Sequence, residues 1–325
     1  MTSSRLVGTI RLEGNDRPAV SHIMTFFSFH NWDLHARSAG RLTSGMRVCL
    51  MLATLFLIAG TFAGAVRADD LEMINRPVNT DGMTGLLFTT APYTLARGAL
   101  EVAAIAITEN SHVPDYTADR YRASVSYGLT DDMELAVSPS YLNLDEGDAH
   151  KARGTGDTQV SYKWNFRQQQ EYSIAPALSL FVTGVFPTGD KDAGTNSVNH
   201  WGARVGMSVG SEIPIEDYIL GVYADGQLAV QDLRDSTVRD RYQLFNAGVL
   251  FPISKYRNLQ MFVEFNAANG IDVHYQHMTD YSAVTYGLRM VGTRFNLTFG
   301  AQMVHKTAEG YQDSSRIVSM MSVKF

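Results

Sequence analysis

Read from Phe295 onward, the odd positions are Phe295, Leu297, Phe299, Ala301 and Met303, while the even ones between them are Asn296, Thr298, Gly300 and Gln302. Side chains on a strand alternate between two faces, so this stretch has one oily face and one wet face. After a polar bend at Ala308 to Ser315 the chain returns through Ile317, Ser319, Met321 and Val323, with Ser322 and Lys324 on the other phase, and ends on Phe325. The same two-residue period recurs back along the chain for more than two hundred residues. A long series of two-faced strands must satisfy both surfaces, and a closed barrel does so with lipid outside and water inside. The expectation is an all-β fold: an antiparallel transmembrane β-barrel of about 12 strands, with the last hairpin at its closing seam. A soluble two-sheet sandwich also alternates, but it would need a shared core and another account of its inward charges.

The chain has 325 residues, of which 45% are hydrophobic and 18% charged, enough for one large domain or two ordinary ones. Its slightly negative mean hydropathy fits a barrel, where only alternate residues meet lipid and each span is about 9–11 residues long. Residues 1–68 hold 7 Lys/Arg against 3 Asp/Glu, a net +4, and residues 69–325 hold 20 against 30, a net −10. That balance offers no basic patch, and nucleic acid is not an expected partner.

Arg47 precedes an apolar run from Val48 to Phe62, followed by the small residues around Ala65, Val66 and Ala68. This is the layout of a secretory signal peptide cleaved after Ala68, the competing reading being a single membrane anchor. A signal peptide belongs at an N-terminus, so translation is expected to begin at Met46, with residues 1–45 a mis-called extension. The lone cysteine, Cys49, falls in this leader, which leaves the mature chain neither disulfide nor thiolate metal site. Residues 69–96 are turn-prone, with Arg76-Pro77, Asp81-Gly82 and Ala91-Pro92, and read equally as a periplasmic tail or a plug in the lumen. The barrel is expected over 97–325.

Candidate spans fall at about 98–108, 119–129, 132–142, 156–167, 173–186, 200–212, 217–230, 241–252, 257–268, 280–291, 293–305 and 315–325. The connections between them alternate short and long, Asn110 to Ala118 being the first long one and Arg167 to Tyr172 among the short ones. Outer-membrane barrels put short turns in the periplasm and long loops outside, which places this chain in the bacterial outer membrane.

Faces follow from cost. In the fourth span Val160, Tyr162, Trp164 and Phe166 share one phase and Gln159, Ser161, Lys163 and Asn165 the other. A cation facing mid-bilayer costs about 2–4 kcal/mol, so Lys163 must face the lumen. The same argument turns Arg122, Glu134, Arg204, Asp225, Glu264 and Arg289 inward, with Glu101 beside them. These are the lumen and selectivity candidates, read either as a narrow polar constriction or as an ion-paired interior that only closes the barrel.

Three stretches carry a family likeness: Tyr127-Gly128-Leu129-Thr130-Asp131-Asp132-Met133-Glu134-Leu135, Gly154-Thr155-Gly156-Asp157 and Pro187-Thr188-Gly189-Asp190. In order and spacing they resemble the family labelled for a MetA pathway of phenol degradation, outer-membrane transporter-like proteins. The likeness runs from about Phe88 to Phe325, and it implies a barrel that passes a small, aromatic or hydrophobic solute. The motifs are turn-forming: Leu129 to Asp132 makes a tight hairpin, Gly154 and Gly156 are expected to admit an unusual φ, and Pro187 to Asp190 ends a strand.

Other candidates are weaker. His274 and His277, with Asp272 and Asp280, have the chemistry of a metal site, but their irregular spacing fixes no geometry, and no metal or cofactor is expected. Asp145, Glu146 and Asp148, or Asp190 and Asp192, have the charge to hold cations that bridge lipopolysaccharide. His305 and Ser315 share the outward phase of the last hairpin, where a lipase would place its nucleophile and base, and Asp313 is close enough to be a third member. The leading expectation is not an enzyme but a passive pore for small molecules. An outer-membrane hydrolase or a closed structural barrel are the alternatives. Its partners would be outer-membrane lipid, lipopolysaccharide, the solute, and the assembly machinery through the strand ending at Phe325.

Overall fold

The computed structural model describes residues 76–112, 115–145, 151–170, 175–190, 193, 195, 201–215, 218–232, 239–253, 258–272, 280–306 and 313–325. The signal peptide and N-terminal extension read from the sequence lie outside these residues. Twelve strands follow one another: β1 Leu100–His112, β2 Asp115–Thr130, β3 Met133–Asp145, β4 Lys151–Arg167, β5 Ala177–Phe186 and β6 Gly202–Ile215 form the first half. The second half is β7 Tyr218–Asp232, β8 Arg239–Pro252, β9 Leu259–Asp272, β10 Tyr281–Val291, β11 Phe295–Lys306 and β12 Ser314–Lys324. Each pairs antiparallel with the next, and β1 pairs with β12 from Glu101↔Lys324 to Ser111↔Ser314, closing the barrel. A closed ladder leaves no sheet edge with a row of unpaired amides facing lipid.

Alternation sorts the two surfaces. Val125, Leu180, Val205, Met207, Leu228, Phe265, Leu288 and Ile317 are exposed, and Val205 and Ile317 reach 55% and 58%. Their neighbours Ser124, Ser179, Arg204, Ser208, Gln227, Glu264 and Arg289 point the other way, all but Arg204 being buried. A protein with polar residues inside and a continuous apolar belt outside is solvated by lipid, and the chain is a transmembrane barrel of the bacterial outer-membrane class.

The connections depart from expectation in two places. The stretch read as a long loop at Asn110 to Ala118 is mostly strand, because β1 runs to His112 and β2 starts at Asp115. Its polar residues pair across the hairpin, with Glu109↔Ala118 and Asn110↔Thr117 in register and Tyr116 Oη donating to Glu109 at 2.6 Å. Polarity there marks a ladder that outruns the lipid. At the other end, where the sequence reads a short turn from Arg167 to Tyr172 and a strand from residue 173, β4 ends at Arg167 and β5 begins only at Ala177. Gln169 in that connection turns inward, donating to Glu212 O at 2.9 Å and accepting from Tyr93 at 2.6 Å. We call the end that carries Leu100 and Phe325 the inner end and the opposite rim the outer end.

Gly154 and Gly156 differ from expectation as well. Both lie within β4, and the only positive φ values among the described glycines belong to Gly82 and Gly98. Close approach is what requires them. A Cβ at Gly156 would overlap Ser140 Oγ at the bulge between Ser138 and Ser140, and one at Gly154 would press on Asp190, Ala193 and Thr195. The second and third family-like motifs in fact meet: Asp190 N–H donates to Thr155 O at 2.9 Å, and Gly189 N–H to Asp157 Oδ1 at 2.9 Å.

Candidate functional site

Residues 76–96 form no strand, yet their main chain needs partners like any other. They find them on every side. This segment contacts Glu101 on β1, Arg122 and Ser126 on β2, Glu134 on β3, Lys163 on β4, Arg204 and Glu212 on β6, Asp225 on β7 and Glu264 on β9. Only a segment inside the barrel can reach so much of the wall, so residues 76–96 are a plug in the lumen.

The inner part of the plug is gripped by carboxylates that accept from its amides. Glu264 takes the N–H groups of Leu87 at 3.2 Å, Phe88 at 3.1 Å and Thr89 at 2.7 Å, and Asp225 takes that of Thr90 at 2.7 Å. Glu134 accepts from Thr84 N at 2.8 Å, from Leu95 N at 2.9 Å and from the Thr84 hydroxyl. Lys163 lies 3.5 Å from Glu134 and donates to the carbonyls of Thr84 at 3.1 Å and Ala91 at 3.3 Å. Lys163, Glu134 and Glu264 are completely buried. Buried charge is tolerable only when paired and hydrogen-bonded, and here the plug supplies the missing bonds. Near the inner mouth Arg76 pairs with Glu212 and stacks on the Tyr93 ring at 3.5 Å, while Tyr223 donates to Glu212 at 2.9 Å.

The outer part is a tight turn. Asn79 Oδ1 accepts from the amides of Asp81 and Met83, both at 3.0 Å, and Gly82 takes a φ of 84°. A side chain at Gly82 would also collide with the hydroxyls of Ser124 and Ser138. The turn presents Asp81 to two wall arginines. Arg122 Nη1 donates to Oδ1 at 3.0 Å and to Thr80 O at 2.9 Å, and Arg204 Nη1 donates to Oδ2 at 3.0 Å. Arg204 Nη2 continues to Gln159 at 3.0 Å. This clasp is 11–14% exposed, unlike the sealed pair below it.

Apolar contact completes the fit. Leu86 and Leu87 are buried with Tyr223, Leu250, Phe262, Val318 and Met320. A Cβ at Gly248 would overlap Leu86, and one at Gly300 would overlap Leu87, so two wall glycines are pits that receive two plug leucines.

All seven lumen candidates therefore point inward, and six of them bond to the plug. Arg289 is the exception. It is fully buried, donates through Nε to Thr298 at 3.3 Å and lies 5.5 Å from the Phe262 ring, while its two Nη atoms have no hydrogen-bond partner. Sequence reasoning missed Asp81, whose Asp-Gly setting reads as turn chemistry, and the outer-end residues Glu109, Arg120 and Arg316. Glu109 accepts from Arg316 Nε at 2.8 Å and lies 3.2 Å from Lys306.

His274, His277, Glu146, Asp148 and Asp192 lie outside the described residues, as does the Asp272 side chain. Asp145 pairs with Lys151 at 3.3 Å, and Asp280 accepts from Gly270 N at 2.7 Å. Among the described residues no group of three His, Cys, Asp or Glu is arranged to hold a metal ion. On the last hairpin His305 Nδ1 meets Asp313 Oδ1 at 2.7 Å, with both side chains exposed. Ser315 shares their face but makes no side-chain hydrogen bond among the described residues.

The sequence matches no family model and no curated protein. Solved structures do match. The COG4313 outer membrane channel from Pseudomonas putida F1 aligns with a TM-score of 0.52 at 13% identity, covering 72% of this chain and 97% of that one. The NanC porin aligns at 0.48 and 10% identity, over 69% and 100% of the two chains. LpxR from Salmonella typhimurium aligns at 0.47 and 12% identity, over 69% and 99%. At these identities the likeness is one of fold: a closed twelve-stranded barrel of the outer-membrane kind.

Proposed function

We propose that the chain is an outer-membrane channel for small solutes, aromatic and hydrophobic molecules among them, whose passage is controlled by the plug. The aromatic part rests on the resemblance to the phenol-degradation family, the channel part on the lumen. The observation that carries the reading is the plug's unequal attachment. It closes the lumen without being part of the wall, and the only side-chain charge holding its outer turn is the Asp81 carboxylate, in a partly open clasp, beside neutral carbonyl contacts from Arg122 to Thr80 O and Ser126 to Gly82 O. Arg122, Glu134, Lys163, Arg204, Asp225 and Glu264 act here as the residues that hold or release the plug, and with Arg289 they line the path. The apolar belt is covered by lipid and lipopolysaccharide, and β12, followed by Phe325, is the strand offered to the assembly machinery.

The test is conductance in planar bilayers, comparing the wild type with Glu264→Gln, with and without added phenol. The reading expects small or rare openings in the wild type, larger or more frequent ones in the variant, and a change in current when phenol is present. Silence in both proteins, each shown to be folded by its heat-modifiable migration, would favour a closed structural barrel instead. A second reading keeps one observation in its favour. The His305 Nδ1 bond to Asp313 is the half of a Ser-His-Asp arrangement that orients a base, leaving Nε2 for a nucleophile. Phospholipid hydrolysis lost in Ser315→Ala would support it, and no hydrolysis by the wild type would remove it.

A further inference from the structure

The clasp at Asp81 has the form of a binding site already occupied. Two guanidinium groups from separate parts of the wall, on β2 and β6, each give one Nη hydrogen to one oxygen of a single carboxylate, both at 3.0 Å. A planar anion with two oxygens fits that seat by geometry, which is how arginine pairs select carboxylates. The occupant belongs to the plug, and its carboxylate is shared between two cations. The Nε atoms of Arg122 and Arg204 are buried and have no hydrogen-bond partner, so each guanidinium holds further donors for an incoming acceptor.

Above the seat the charge is uneven. Glu109 serves both Arg316 and Lys306, at 2.8 and 3.2 Å. Arg120 shares the inward phase of Arg122, Ser124 and Ser126, so its exposure is to the lumen and not to lipid. It lies within electrostatic reach of Arg122 and Arg316 and, more weakly, of Glu109 and Asp81, and makes no ion pair within 4 Å among the described residues. An exposed cation at the mouth of a narrow lumen raises the local concentration of anions. Tyr242, from β8, lies within electrostatic reach of Arg204 and gives the seat an aromatic neighbour.

We propose that the seat formed by Arg122 and Arg204 is the recognition site for a small solute carboxylate, which enters past Arg120 and displaces Asp81. The inference rests on the channel reading and names its solute class and trigger. Its logic is exchange. A carboxylate that takes the seat replaces the two charge-assisted hydrogen bonds that Asp81 gives up, so the wall loses little. Only the released state has a vacant seat, so the solute binds that state alone and shifts the population toward it. A neutral molecule of the same shape gains nothing there. Release of Asp81 removes the charged hold on the Asn79 to Met83 turn, the outermost part of the plug, and leaves only the contacts of Arg122, Ser126 and Ser138 with its carbonyls, while the carboxylates below still hold the plug's amides.

The experiment is calorimetric titration of the full protein in detergent micelles with benzoate, and with benzyl alcohol as the neutral match. Asp81→Asn removes the competing charge and is expected to bind benzoate about five-fold tighter than the wild type, since the fraction of protein with an open seat rises. Benzyl alcohol should show no such gain. Arg120→Gln, which breaks no hydrogen bond among the described residues, should weaken benzoate binding several-fold without altering heat-modifiable migration, and Arg204→Gln should remove it. Equal benzoate binding by the wild type and Asp81→Asn, an equal gain for benzyl alcohol, or no benzoate binding by either protein overturns the proposal. The same proteins in bilayers separate the two readings. Benzoate binding strengthened by Asp81→Asn in a barrel that never conducts would sink the channel and leave the seat. Conductance that responds alike to benzoate and benzyl alcohol would sink the seat and leave the channel.

Discussion

The two ends of the plug are held by opposite arrangements. At the inner end the wall supplies carboxylates and the plug supplies main-chain N–H groups, in full burial, around Glu134, Lys163 and Glu264. At the outer end the plug supplies the carboxylate, Asp81, and the wall supplies two arginines that remain partly exposed. A buried charge that loses its partner is stranded in a low dielectric, whereas a partly exposed one can turn to water or to another ion. The inner attachment is therefore structural and the outer one exchangeable, and variants at the two ends should fail in different ways.

The largest effect is expected at Lys163. Replacing it with Met leaves Glu134 buried without its cation and the Ala91 carbonyl without its Lys163 donor, while Thr84 O keeps the Ala91 N–H, a loss of about 3–5 kcal/mol for a broken buried pair. Urea unfolding of the barrel in lipid vesicles would register it as a large fall in midpoint. Glu264→Gln comes next. The amide keeps the shape but gives up the charge that three N–H donors share, and about 2–3 kcal/mol should go with it. Because those bonds hold the plug and not the wall, the change should appear as faster proteolysis within residues 84–95, with the barrel itself intact. Equal resistance to protease in wild type and variant would mean that the plug is held by packing instead. Packing has its own variant. Gly300→Ala pushes a methyl group into Leu87 and should cost about 1–3 kcal/mol as overpacking. The double variant Gly300→Ala with Leu87→Ala returns the space and should recover part of the loss, a coupling that a double-mutant cycle in urea would measure.

How far these features were legible in the sequence depends on whether they have a period. The wall has one, and a charge facing lipid is costly enough that Lys163, Arg204 and Glu264 had a single choice of face. The plug has none. Its contacts run through amides of Leu87, Phe88 and Thr89, groups every residue carries, so nothing in those side chains announced that Glu264 would take them. Gly248 and Gly300 read as ordinary strand glycines until Leu86 and Leu87 are known to lie opposite. Asp81 was hidden by a good local explanation, since Asp before Gly is what a turn needs. The hairpin at β1 and β2 misled for a related reason: Asn110 and Ser111 look like loop, but their backbones pair as well as any valine's once the strands leave the membrane.

The smallest effect on stability is expected at Asp81, and it is the most informative. Asp81→Asn keeps the turn, because the bonds that shape it run from Asn79 to the amides of residues 81 and 83. What it loses is the charge between two guanidinium groups only 11–12% exposed, while the amide oxygen still accepts from one of them, so that the net loss is one hydrogen bond, about 1 kcal/mol. The urea midpoint should move less than in any of the variants above. If the outer clasp governs release of the turn, the same substitution should nonetheless raise the frequency of channel openings several-fold, since a gate near balance responds to about 1 kcal/mol with a five-fold change in population. Stability and conductance would then be separated in one variant, whereas Lys163→Met would move both. An Asp81→Asn barrel that conducts as the wild type does would show that the turn stays in place without its charge, and the exchangeable end of the plug would have to be sought elsewhere.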